Sequence, residues 1–232
     1  MTYFTSEGQD ADLGSLRPMT KEEMIAAYGA MADDDPTVLA DLYIDFHDFD
    51  QIEFLIFKDR LSSAVLVSKS AKRGIDALMS KFEAQRKDGS YLVPGWEAES
   101  GDVFSGAIGV TEDAYRLLIG ATILTAVAAL ESLLIDLTPD SERKTQGLYL
   151  LLQAFLRRYR VSASVGATIT EMGRQVGKRR NTFAHSLTGS YWETDHSIAA
   201  MFTLETMQDT LYAVGKIAVQ IEEIVLAGIP PV

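Results

Sequence analysis

The chain has no cysteine, only six prolines and only three histidines in 232 residues. Without cysteine there is no disulfide framework, no thiol nucleophile and no thiolate-held zinc. Long apolar runs are also missing. The longest uncharged one, Leu117 to Leu130, has 14 residues. That falls short of the ~20 needed to span a bilayer, so it reads as a buried helix, and no membrane partner is expected. The opening stretch is polar and acidic and lacks the apolar core of a secretory signal, which makes the cytoplasm the expected location. No Gly-Lys-Ser/Thr phosphate loop, dinucleotide fingerprint or Gly-x-Ser-x-Gly elbow occurs, and no cofactor is expected.

Basic residues are in deficit, with 21 Lys and Arg against 33 Asp and Glu, a net charge of −12. That balance argues at first sight against a nucleic-acid partner. The distribution weakens the objection. Residues 1–110 carry net −10 and residues 111–232 only −2. Within 141–180 nine basic residues face Glu142 and Glu171 alone, a local net of +7. A solvated helix face would give the same pattern.

What is present is helical periodicity. At 47% apolar and 23% charged the composition is that of a globular protein. Residues 1–19 read as a flexible leader, followed by a helix from Thr20 to about Met31 that Asp33-Asp34-Asp35-Pro36 ends. A second helical stretch begins near Thr37. From Gln51 to Lys87 apolar residues recur at helical intervals, with Ala64 to Val67 open to a strand reading. Gly and Ser-Gly signals between 88 and 110 mark a linker, and Thr111 reads as the cap of the next helix. Four helices follow: Thr111 to about Leu137, Ser141 to about Arg160, Ala163 to His185 or beyond, and Ile198 to Ala227. The first is apolar nearly all round, so it should be central. The expectation is an all-α chain, with a helical N-terminal region at 20–110 and an antiparallel four-helix bundle at 111–232.

The most informative stretch is Arg180-Asn181-Thr182-Phe183-Ala184-His185, just past Lys178 and Arg179. Arginine is a permanent cation shaped to grip phosphate oxygens. Histidine is the side chain best poised for proton transfer near neutral pH. Together they point to phosphodiester cleavage. At 100° per residue, Ile169, Met172, Val176 and Phe183 form a core stripe, and Arg180 lies about 40° from Val176 at its edge. Arg174, Lys178, Asn181 and His185 cluster on the other side. Asn181 and His185 are i, i+4 neighbours, so the amide can orient the imidazole. Arg180 and His185 are about 140° apart, so they meet on one phosphate only if the helix ends or bends, or if a second protomer supplies one of them.

This stretch resembles the Arg-x4-6-His signature of the HEPN domain superfamily, including the polar residue after the arginine. It is also similar to the Arg-Asn-x-x-Ala-His form found there. Ala129 to Leu134 resembles the first long helix of those bundles, and the resemblance covers roughly residues 111–227. It implies a metal-independent endoribonuclease, often a toxin or antiviral effector, with two protomers facing each other across one cleft. His185 would be general base or acid, Arg180 would hold the scissile phosphate, and Asn181 would position either. Products would be a 2′,3′-cyclic phosphate and a 5′-hydroxyl. Lys178, Arg179 and Arg174 are the expected RNA contacts, and an antitoxin or regulatory protein is a further implied partner. Where one HEPN subgroup carries a tyrosine two residues after the histidine, this chain has Leu187, which departs from that subgroup's mode of regulation.

Other carboxylates and histidines carry weaker signals. Glu131 sits inside an apolar helix, and buried carboxylates are rare unless paired, so it either binds Arg180 or otherwise supports the site, or faces a groove or solvent. Asp45, His47, Asp48 and Asp50 are hard ligands in close sequence, but a solvated acidic turn is the plainer reading and no metal site is expected. Tyr191, Trp192 and His196 follow the motif. The alternative to cleavage is a catalytically silent helical dimer that binds a partner protein or nucleotide.

Overall fold

The 3.6-residue periodicity is met throughout: in this computed structural model, which describes residues 35–138, 147–188 and 202–228, no strand occurs among the described residues. The helices are α1 (Ile52–Asp88), α2 (Glu97–Leu137), α3 (Leu148–Arg158), α4 (Ala163–Thr188) and α5 (Leu204–Leu226). The expected helix at Thr20–Met31, the Ser141 and Ile198 helix starts, and Tyr191, Trp192 and His196 lie outside the described residues. The ambiguous segment Ala64 to Val67 is helical, inside α1.

The stretch from Thr37 is not a helix. It is a 3-10 turn at Pro36–Val38 followed by consecutive turns, and Asp45 and Phe46 adopt positive φ. Tertiary contacts hold it there. The buried hydroxyl of Ser62 accepts from the Ala40 amide at 3.1 Å and donates to the Thr37 carbonyl at 3.1 Å. A Cβ on Gly215 would stand 2.1 Å from the Tyr43 carbonyl oxygen, so only glycine lets this segment lie against α5.

The expected linker and boundary are corrected by α2, which runs unbroken from Glu97 through Thr111. The actual α1–α2 connection is short, from Gly89 to Trp96. Thr111 does not cap. Its hydroxyl donates to the Ala107 carbonyl at 2.9 Å, one turn back within the helix. Gly101, Gly106 and Gly109 each cost up to ~1 kcal/mol relative to alanine, but packing along α1 overrides that local preference. Phe104 shows how: it stacks on Tyr91 at 4.2 Å and meets Phe82 edge-on at 5.7 Å.

One core therefore joins the two halves of the sequence. Phe54, Phe57, Leu61 and Val65 of α1 pack with Ile119, Ile123, Val127 and Leu130 of α2 and with Leu211, Val214, Ile217 and Ile221 of α5. Beyond Ser68 on α1 and before Thr111 on α2 burial falls away, with Phe104 the exception, so the two helices continue as a hairpin arm. By length and composition α2 can cross a membrane, unlike its 14-residue uncharged segment, but 56% of its most apolar window is buried inside the protein. As expected from sequence, it is the central helix of the bundle.

Candidate functional site

The motif lies on α4, which continues without a break through Thr188. The predicted stripe holds: Ile169, Val176 and Phe183 are buried in the core. Phe183 seats the helix. Its ring occupies the space a Cβ on Gly120 of α2 would need and meets Phe202 at 5.2 Å. This close approach brings Glu131, three turns further along α2, to the motif. Arg180 Nη2 lies 3.8 Å from Glu131 Oε2, and Arg180 Nη1 donates to Asn181 Oδ1 at 3.0 Å. Of the alternatives for Glu131, pairing with Arg180 is the one present. Asn181 accepts from the arginine beside it.

Arg174, Lys178, Arg180, Asn181 and His185 line one open cavity of about 980 Å³ together with Glu131. On the helical wheel its α4 wall runs from Arg180 through Asn181 and His185 to Thr182, roughly 200° of helix surface. Arg180 and His185 therefore border one space from separate faces. The helix does not end between them. The facing wall is apolar, made by Gly147, Leu148, Tyr149 and Leu150 at the start of α3. Tyr149 is partly exposed, and its hydroxyl accepts from Gln153 Nε2 at 2.7 Å. The sequence reading missed this wall, because Tyr149 is one aromatic residue within an amphipathic helix.

The field in the cavity is weaker than the local count of +7 implies. Arg174 borders it but is clamped by Glu171 through two hydrogen bonds of 2.8 Å. The hydrogen bond from Arg174, then that from Gln175, holds the Glu171 carboxyl down at about 2. Arg179, also an expected RNA contact, does not line this cavity. It turns to α5, donates to Thr210 Oγ1 at 3.0 Å and lies 3.7 Å from Asp209. The signal was available: Arg179 lies about 40° from Phe183 on the wheel, on the opposite edge of the core stripe from Arg180. Lys178 makes no ion pair among the described residues.

The acidic turn near His47 is structural. His47 Nε2 is 2.7 Å from Glu222 Oε2, and the Asp50 amide donates to Glu222 Oε1 at 3.1 Å. Glu222 is 1% exposed, so this pair fixes the turn onto α5. Among the described residues no group of three or more His, Asp or Glu could hold a metal ion. Comparisons with protein-family models, curated proteins and solved structures found no match to this chain.

Proposed function

We propose that the chain is a metal-independent endoribonuclease of HEPN type, acting as a homodimer with a shared cleft. In this reading His185 removes the ribose 2′-hydroxyl proton or protonates the leaving 5′-oxygen. The 2′-oxygen attacks phosphorus, the P–O5′ bond breaks, and a 2′,3′-cyclic phosphate and a 5′-hydroxyl result. Arg180 offsets charge on the phosphoryl oxygens, with Glu131 and Asn181 fixing its guanidinium. Lys178 steers the backbone, and Tyr149 offers a flat surface for a base. Growth arrest or defence, with an antitoxin or regulatory partner, is the setting this activity suits.

The observation that carries the reading is the gathering of Arg180, Asn181 and His185 on one open cavity with Glu131 paired to the arginine. The engagement of Arg180 by its own chain favours a second reading, a catalytically silent dimer that binds a partner protein or nucleotide. RNA incubated with wild type and His185→Ala in the presence of a chelator separates the two. The first reading expects cyclic-phosphate ends from wild type and a loss of ~10²-fold or more in the variant. Because His185 is exposed, circular dichroism should be unchanged. Intact RNA with wild type, or equal cleavage by His185→Ala, assigns the second reading.

A further inference from the structure

The α1–α2 arm has one face covered by nothing in the described structure. Val103, Val110 and Leu117 recur every seven residues on α2, and Trp96 continues the line at the N-cap. Val67 and Leu78 fall about 20° apart on α1, three turns from one another. The geometry of two antiparallel right-handed helices puts both lines on the same side of the hairpin. All six are between 47% and 75% exposed. The opposite side is charged, with Asp76 and Glu83 from α1 and Glu112 from α2. The arm is therefore amphipathic in cross-section: one seam joins its two helices, and a second apolar face is left over.

We infer that a second copy of this chain packs its own arm on that face, forming an antiparallel four-helix assembly distinct from the motif cavity. Two observations select this occupant. The first is area. Six such side chains present on the order of 600 Å², the top of the range for the largest patch on a monomer and near the ~800 Å² that one partner gives a stable dimer. The second is charge. At the edges of this face Lys81 lies about 60° from Leu78 on α1 and Glu99 about 40° from Val103 on α2. A two-fold axis along the arm lays α1 of each copy over α2 of the other and sets each Lys81 on the same edge as the other copy's Glu99, so the surface complements itself. A bilayer would match the apolar stripe but gain nothing from Glu99 beside it. The inference stands on the arm alone and does not depend on the RNA reading.

The test is solution mass by light scattering on the full chain, for wild type and Val103→Lys/Val110→Lys. Both positions are exposed, so helicity should hold, and the solution mass should fall. Glu99→Lys should weaken assembly, and adding Lys81→Glu should restore it. The charge swap also serves as the check if the lysine pair perturbs folding. A monomeric wild type, an unchanged mass in the lysine variant, or failure of the swap to rescue overturns the inference. So does wild type that floats with phosphatidylcholine–phosphatidylserine vesicles through this face while its mass in solution stays that of one chain.

Discussion

Gly120→Ala tests how the motif helix is seated. A Cβ there would stand 1.9 Å from Phe183 Cε2, 2.0 Å from Cδ2 and 2.3 Å from Cζ. Carbon atoms pack best at about 3.5–4.0 Å, so the ring would have to withdraw by roughly 1.5 Å. It has little room, being 4% exposed and set against Phe202. Such overpacking costs about 1–3 kcal/mol. Alanine for glycine in a helix otherwise stabilises by about 0.5–1 kcal/mol. Gly109, in the same helix with nothing within 4 Å of its Cβ position, supplies the control.

Gly109→Ala should therefore raise stability, and the gap between the two variants isolates the overpacking term. At about 2–4 °C per kcal/mol for a chain of this size, that gap is roughly 2–12 °C in Tm. Urea denaturation followed by circular dichroism gives the same quantity as a free energy. Phe183→Leu in the Gly120→Ala background should recover part of the loss, as expected of residues in contact. Equal Tm shifts in the two alanine variants would refute the contact, and with it the account of how the Arg180–His185 turn is brought beside Glu131.

Two further predictions follow from side chains the structure separates. On the ribonuclease reading proposed above, Lys178→Ala should weaken RNA binding and flatten the log K against log salt slope by about one, with unchanged Tm. Arg179→Ala should leave that slope alone and lower Tm, since the hydrogen bond to buried Thr210 contributes about 0.5–1.5 kcal/mol; the reverse pattern would return Arg179 to the RNA surface. Glu222→Ala strips the acceptor from His47 and from the Asp50 amide, about 1–3 kcal/mol for each group left unsatisfied. Wild-type Tm in that variant would show that the 45–50 turn is held by something else.

Helix type and the core stripe of α4 were legible because each follows from periodicity, and the Glu131–Arg180 pairing was one of the alternatives that the rarity of unpaired carboxylates among apolar residues left open. The α1–α2 connection was not. Ser100-Gly101 and Ser105-Gly106 have the composition of breakers, and only the long seam with α1 keeps them helical. Glu222 was equally silent. In sequence it cannot be told from its neighbour Glu223, and its burial depends on His47 returning from the far end of the chain. Arg179 could have been placed by the wheel that placed Arg180, but counting charge along the chain ignored direction.

The unbroken run of α2 joins two places that look unrelated. At 1.5 Å per residue, Trp96 at the arm's tip and Glu131 at the cavity stand about 50 Å apart along one continuous helix. The contact with Phe183 at Gly120 lies between them, roughly one third of the way from Glu131. A tilt of about 5° around that point moves Trp96 by about 3 Å and the Glu131 backbone by about 1.4 Å the other way. The arm and the cavity thus share one helix, with the Phe183 contact lying between them.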